Sequence, residues 1–207
     1  EPDVVAIDTI SQDSVSCNGL FDGTASVTAI GGSGNYSYLW DASAGNQTTA
    51  TATNLSAGTY SVTVSDLYSC DTVLTIEVLE PDVIVANFNR VNVTCFGGND
   101  GKVAVTAVGG VSPYTYSWNT SPVQTTDTAF NLIAGQYIIT VTDALGCDAK
   151  DTVVITEPPP YNISSSQDSV NCYNGNDGTA TVVVSGGTPN YSYLWDDPIA
   201  QTTASAT

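Results

Sequence analysis

Five cysteines recur in two settings. Cys17, Cys95 and Cys172 open the stretches "CNGLFDG", "CFGGNDG" and "CYNGNDG", each with four residues before an Asp-Gly pair. Cys70 and Cys147 close "DLYSC" and "DALGC". Thiols at such regular positions point to disulfides, which suit small secreted domains. The aspartates beside them, Asp22, Asp66, Asp100, Asp143 and Asp177, have two readings. Asp before Gly is ordinary turn chemistry. Carboxylates on converging loops are also the ligands Ca²⁺ takes, with six to eight oxygens around the ion, and Ca²⁺ is the one cofactor the sequence puts forward. The spacing matches no EF-hand loop. Catalysis has no comparable support. The chain has no histidine, which removes the usual general base and the commonest transition-metal ligand. There is no Ser-His-Asp set and no phosphate loop. The carboxylate pair Asp196-Asp197 has no counterpart elsewhere. The chain therefore reads as a non-enzyme.

Twenty-one acidic residues stand against three basic ones, for a net charge of −18 over 207 residues. Such a surface repels phosphate backbones and anionic lipid, which argues against nucleic acid or a membrane surface as partner. No apolar run approaches the length of a membrane span, so membrane insertion is not expected. No leader or sorting tail is visible, and the stretch reads as an interior part of a longer secreted chain.

These residues must be positioned by something that repeats. Glu-Pro recurs at Glu1, Glu80 and Glu157, Gly-Gly at Gly31, Gly109 and Gly186, and tryptophan at Trp40, Trp118 and Trp195, with spacings of 77 to 79 residues. The later landmarks Tyr60/Tyr137, Asp66/Asp143 and Cys70/Cys147 occur twice, 77 apart. The expected domains are residues 1–79, 80–156 and a shortened third repeat, 157–207. The Glu-Pro junctions carry no flexible linker, so successive repeats should join tightly.

Each repeat reads as all-β. "TYSVTVSD" alternates apolar and polar residues with period two, and Asp-Gly, Asn-Gly and Gly-Gly clusters punctuate the runs. A turn signal every 8–12 residues in about 77 residues suits a small sandwich, so the fold class is tandem immunoglobulin-like β-sandwich repeats set head to tail. "YSYLW", "YTYSW" and "YSYLW" place three aromatics on one face of a strand. Trp40, Trp118 and Trp195 are the expected core centres, and an aromatic sugar platform is the competing reading. Tyr60 and Tyr137, just after a glycine in "NLSAGTY" and "NLIAGQY", are the expected tyrosine corners.

The ordered motifs resemble the SprB repeat family of Bacteroidota surface proteins: Cys-x4-Asp-Gly, Gly-Gly, Pro-Tyr-x-Tyr-x-Trp, Asn-Leu-x-Ala-Gly-x-Tyr, Val-Thr-Asp-x-x-Gly-Cys and Thr-Glu-Pro. The second repeat fits best, with "SPYTYSW", "VTDALGC" and "ITEP". The first departs, lacking the proline in "SGNYSYLW" and placing Ser69 where the glycine stands. Ser69 would cost up to roughly 1 kcal/mol if that position needs a positive φ. The resemblance implies a very large secreted cell-surface protein, a gliding-motility adhesin or extracellular filament exported by the type IX system. The repeat would be its stalk or spacer, a semi-rigid rod whose partners are neighbouring repeats and, in a filament, lateral copies of itself. A glycan- or prey-surface-binding adhesion module and a spacer in a secreted polysaccharide-degrading enzyme are the alternatives. Six Asp-Ser/Thr-apolar triplets resemble the O-glycosylation acceptors of the same bacteria, at Thr9, Ser14, Thr72, Thr128, Thr152 and Ser169.

Two disulfide patterns stay open. Pairing inside each repeat, Cys17–Cys70 and Cys95–Cys147, is favoured, with Cys172 unpaired in this sequence. In an immunoglobulin-like sandwich, however, the two cysteine turns lie at opposite ends, about 20 Å apart, while a disulfide needs Cα atoms within about 7 Å. The alternative is an inter-repeat Cys17–Cys147 bond.

Overall fold

The computed structural model describes residues 3–207. The Glu1-Pro2 pair lies outside the described residues. Six strands make up the first repeat: β1 (Ala6–Asp13), β2 (Gly23–Ile30), β3 (Ser37–Trp40), β4 (Thr51–Leu55), β5 (Gly58–Ser65) and β6 (Asp71–Val78). A short 3-10 turn at Ala42–Ala44 is capped by Asp41. Two three-stranded sheets form, in the orders β1-β2-β4 and β3-β5-β6. Lettered A, B, C, E, F, G in chain order, these are the ABE and CFG sheets of an immunoglobulin-like sandwich. All the first-repeat strand pairs are antiparallel. β1 and β2 align Ala6 with Ile30 and Asp13 with Thr24, with a register shift between Ile7 and Thr9.

The alternation seen in the sequence is the alternation of burial. Along β5, Tyr60, Val62 and Val64 point inward, and along β2, Ala25 and Val27 do. Trp40 is fully buried among them, with Leu55, Ile76 and Val78. Tyr36, just before β3, and Tyr38 on it pack against the same core. The Tyr36 hydroxyl donates to the Gly31 carbonyl at 2.7 Å. These groups fill the core rather than forming a sugar platform.

The second repeat follows the same order with β7 (Val85–Val91), β8 (Gly101–Val108), β9 (Thr115–Trp118), β10 (Thr128–Leu132), β11 (Gly135–Thr142) and β12 (Asp148–Ile155), in sheets β10-β8-β7 and β12-β11-β9. Trp118 is buried like Trp40. Residues 79–84 separate β6 from β7. The third repeat forms β13 (Asn162–Asp168), β14 (Thr179–Ser185) and the two-residue β15 (Ser205–Ala206), in one sheet. Two expectations are corrected there. Tyr191–Trp195 is not a strand, and Trp195 is half-buried rather than a core centre. In the first repeat, β3 is a strand because it pairs with β5 over Ser37↔Ser65 to Trp40↔Val62, and the third repeat has no such strand among the described residues. Tyr137 is likewise half-buried where Tyr60 is buried.

By its contacts the chain divides into two compact units that do not follow the repeat borders. The first runs to Asn87 and takes in Ala107–Tyr116 and Thr140–Lys150; the second comprises Phe88–Thr106, Ser117–Ile139 and Asp151–Thr207. Stretches of the second repeat join the first unit through bonds such as Gly110 N–H to the Asp82 carbonyl at 2.7 Å.

The Gly-Gly pairs follow from one close approach. Gly109 has φ +77, and a Cβ there would sit 2.0 Å from the Val83 carbonyl oxygen. Gly31 and Gly186 meet the carbonyls of Val4 and Pro160 in the same way. Only glycine tolerates both the left-handed conformation and the contact.

Candidate functional site

The cysteines sit in two kinds of cradle, and each is built by an aspartate. In the first kind, the Asp of Asp-Gly reaches back six residues and closes a loop around the cysteine. Asp22 accepts the Ser16 N–H at 3.0 Å and the Ser16 hydroxyl. Asp100 accepts the Thr94 N–H at 3.0 Å and its hydroxyl at 2.6 Å. Asp177 accepts the Asn171 N–H at 3.0 Å and its side-chain amide. Hydrogen bonds to the charged form favour ionisation. The Ser16 hydroxyl and then its N–H hold Asp22 below the usual carboxylate range, the Thr94 hydroxyl and N–H do so for Asp100, and the Asn171 N–H and side chain for Asp177.

The loop is also held from the junction. The Gly19 N–H donates to Glu80 Oε2 at 2.7 Å, and Asn18 Nδ2 to the Pro81 carbonyl at 3.1 Å. In the second unit, the Gly97 N–H donates to Glu157 Oε2, also at 2.7 Å. The glutamates of the second and third Glu-Pro pairs, Glu80 and Glu157, are therefore clamps on the preceding cysteine loops. Sequence reasoning credited only the prolines of these pairs. The signal was the invariant Glu at the same period.

The second kind of cradle is deeper. Asp66 and Asp143 are buried. Asp143 Oδ1 accepts the N–H groups of Leu145 and Cys147 at 2.9 Å, and Oδ2 accepts that of Val111 at 2.9 Å. Asp66 Oδ1 accepts those of Tyr68 and Cys70 at 2.9 Å, and Oδ2 accepts the Ser33 N–H and hydroxyl at 3.0 Å. Each aspartate also donates its own N–H to the cysteine carbonyl. The Val111 N–H most of all holds the Asp143 carboxyl low, and the Ser33 N–H does so for Asp66, against the opposing effect of burial. The turn needs a left-handed residue before the cysteine. Gly146 has φ +86, and Ser69 takes φ +62 in its place, the strain expected of a non-glycine residue.

The five aspartates are thus not brought together. They serve separate turns, and their oxygens face N–H and hydroxyl donors. Among the described residues, no group of three or more His, Cys, Asp or Glu side chains could hold a metal ion.

One disulfide forms. Cys17 is bonded to Cys147, with Cα atoms 5.6 Å apart and a sequence separation of 130. This is the alternative pattern, and it corrects the favoured Cys17–Cys70 and Cys95–Cys147 pairs. Cys70, Cys95 and Cys172 are exposed free thiols. The physical reason is the topology: Cys17 follows strand β1 and Cys70 precedes β6, so the two turns fall at opposite ends of their sandwich. A cleft of about 340 Å³ lies beside the bond, lined by Leu20, Val83, Ile84 and Asp143 among others.

The remaining candidates are placed as follows. Tyr60 donates to the Ser56 carbonyl at 2.9 Å and Tyr137 to that of Ile133 at 3.0 Å, which makes both tyrosine corners. Of the acceptor triplets, Thr9, Ser14, Thr152 and Ser169 are exposed, and Thr72 and Thr128 half-buried. Thr9 Oγ1 is 2.6 Å from Thr28 Oγ1. Sequence reading missed Gln47, Gln124 and Gln201, again 77 apart. The Gln47 side chain clamps the Thr53 backbone with 3.0 and 3.1 Å bonds, and Gln124 does the same to Phe130.

The strand order and the two cradles define a class: tandem immunoglobulin-like sandwich repeats with aspartate-built cysteine turns. The family model described as "SprB repeat" matches residues 9–45, 87–123 and 164–198, more than half of the chain. The chain belongs to the SprB repeat family. Among solved structures it is similar to "Crystal structure of DIP-gamma IG1+IG2", with 10% identity and a TM-score of 0.36, covering 74% of this chain and 97% of that one. It is similar to "Sidekick-1 immunoglobulin domains 1-5" with 11% identity and a TM-score of 0.42, covering 99% of this chain and 49% of that one. With superpositions this loose, the fold rests on the strand order itself. No curated protein sequence matches the chain.

Proposed function

We propose that this chain is a structural segment, a stalk or spacer, of a large secreted cell-surface adhesin or extracellular filament that serves attachment or gliding. The observation that carries the reading is the SprB match in three successive repeats. The direction of the polar groups supports it. The aspartates, the Glu-Pro carboxylates and the tyrosine hydroxyls bond to the chain's own backbone, and the large aromatics of the two complete repeats fill cores. Such a module holds shape and distance rather than performing chemistry. In tandem arrays each repeat adds a fixed increment, so reach scales with repeat number. No helix among the described residues is long and apolar enough to cross a membrane. The acidic surface keeps neighbouring copies from collapsing on one another at low salt. Antibodies raised against this chain should label intact cells, and deleting one repeat in frame should draw a label at the distal end closer to the cell by one repeat length. Labelling only after lysis, or an unchanged label position, would contradict the spacer reading.

A further inference from the structure

The Cys70 turn has the build of the Cys147 turn, seat included. In both, one aspartate oxygen accepts the cysteine N–H at 2.9 Å, and the aspartate N–H goes back to the cysteine carbonyl. The ground beside the two turns matches as well. The cleft at the Cys17–Cys147 bond is lined by Val83 and Ile84, which follow "EPD" at residues 80–82. Val4 and Val5 follow the same "EPD" at residues 1–3. The Asp82 carbonyl accepts the Gly110 N–H at 2.7 Å, and the Asp3 carbonyl accepts that of Gly32 at 2.8 Å. A Cβ on Gly110 would meet Ile84 and the Asp143 carboxylate, and one on Gly32 would meet Val5 and the Asp66 carboxylate. The Cys17 loop fills one seat. At the other, Cys70 is an exposed thiol, Leu67 and Tyr68 of the same turn are exposed, and so is Val4.

The Cys95 loop in turn has the build of the Cys17 loop. Asp100 closes it onto Thr94 as Asp22 closes the other onto Ser16. In each, the N–H three residues past the cysteine returns to the cysteine carbonyl, at 3.1 Å for Leu20 and 3.0 Å for Gly98. In each, the N–H two residues past the cysteine donates at 2.7 Å to the glutamate of the next Glu-Pro pair. The loops differ in where the apolar side chain sits. Leu20 lines the cleft beside the bond, whereas Gly98 takes that place in the second loop and Phe96, next to the cysteine, is 57% exposed. Cys95 is an exposed thiol as well. One loop and one turn are thus bonded, while the Cys95 loop and the Cys70 turn, of the same two kinds, are open.

We propose that Cys95 and Cys70 are staple sites for flanking repeats of the same chain: the Cys95 loop seats on the second-position turn of the repeat after its own, the Cys70 turn receives the first-position loop of the repeat before its own, and each contact closes as a disulfide. The bond already made sets the direction, since Cys17 belongs to the earlier repeat and Cys147 to the later one. Bonds inside one repeat are excluded by the topology that keeps Cys17 from Cys70. The oxidant is a small disulfide such as oxidised glutathione. The Cys95 thiolate attacks one of its sulfurs and releases one glutathione thiolate. The thiolate of the turn then attacks the Cys95 sulfur of the mixed disulfide, completing the protein disulfide and releasing the second glutathione. Cys95 lies between Cys17 and Cys147 in sequence, so successive closed loops overlap, and a run of them leaves no stretch between its first and last cysteine free to extend. This deepens the spacer reading and rests on it, because a stalk is what holds its length under pull.

The test is a single chain in which residues 1–156 precede the full sequence, so that Thr156 meets Glu1-Pro2 as it otherwise meets Glu157-Pro158. This places a Cys70 turn in the repeat after a Cys95 loop, at almost the separation of Cys17 and Cys147. The chain is oxidised in glutathione buffer at low concentration, alkylated, and mapped by peptide mass without reduction. The expected result is Cys17–Cys147 within each copy and one new bond, from Cys95 of the first copy to Cys70 of the second, in a chain that runs as a monomer. C95S in the first copy alone should leave Cys70 of the second copy a thiol or a glutathione adduct and keep both Cys17–Cys147 bonds. Cys95 of the first copy recovered as a thiol or a glutathione adduct, bonded within its own copy, or linked between chains would overturn the proposal. Loss of Cys17–Cys147 from either copy would overturn it as well. The spacer reading is tested separately by labelling intact cells, so it stands or falls apart from these outcomes.

Discussion

The first and third repeats begin with the same motifs and end in different states. "YSYLW" occurs in both, yet Trp40 is fully buried and Trp195 half-buried. Both indoles keep their local bond, Trp40 Nε1 to Thr49 and Trp195 Nε1 to Thr203, each at 2.9 Å. The difference is the second sheet. β5 and β6 cover Trp40 with Val62, Val64 and Val78, while Tyr191 and Trp195 line an open groove of about 490 Å³ with Ile163 and Val184. Local hydrogen bonds set how the aromatic segment lies, and the F and G strands turn it into a core. The family match covers the part the two repeats share, residues 9–45 and 164–198, which ends before those strands.

The largest effect should come from the disulfide, which closes 130 residues and belongs to the first unit alone. On the chain-entropy argument such a loop is worth about 5 kcal/mol. C17S or C147S should lower the denaturant midpoint of the first unit by that order and leave amide-exchange protection in β13–β14 unchanged. Equal loss in both regions would erase the contrast.

Trp40→Ala should cost about 3–5 kcal/mol, the range for a large buried aromatic, whereas Trp195→Ala should cost well under half as much. Denaturant melts of the two variants decide this. Gly31→Ala and Gly186→Ala sharpen the comparison from the other side. Both glycines have positive φ and meet a backbone carbonyl within 2.2 Å of the Cβ position, so each substitution should cost at least about 2 kcal/mol in its own repeat. Tyr60→Phe removes one hydrogen bond from a tyrosine corner of the first repeat, and about 1 kcal/mol is expected.

Acid should separate the regions more gently. Asp22, Asp66 and Asp143 in the first unit all have carboxyls held low by hydrogen bonds, and Asp41 is held at about 2, where bonds from Ser43 and Ser61 outweigh a burial that raises it. The third repeat has Asp177 and Asp197. A depressed folded value means that the unfolded chain takes up protons first, at its ordinary value of about 3.9. The stability from these groups is present above that pH and falls away below it. Thermal melts between pH 5 and pH 2 should show the first unit losing more than the third repeat.

Much of the fold was legible because it is periodic. Alternation marked β2 and β5, recurring landmarks marked the repeats, and a tyrosine after glycine marked the corners. The third-repeat strand at Tyr191–Trp195 was misread because a strand exists only with a partner, and its motif is local. The aspartates read first as turn formers, and the structure has them closing turns, although a carboxylate that closes a turn and one that binds Ca²⁺ look alike in sequence. Cysteine pairing is a long-range property that spacing leaves open. Here the topological argument against intra-repeat bonds was the better guide than proximity in sequence.

In the stalk proposed above, the first unit is locked by Cys17–Cys147. Pulling on the two ends of the chain one molecule at a time tests this most directly. Without reductant, the residues inside the bond should never extend, and adding reductant under load should release roughly 430–470 Å more. Full extension of the chain before any reductant is added would contradict it.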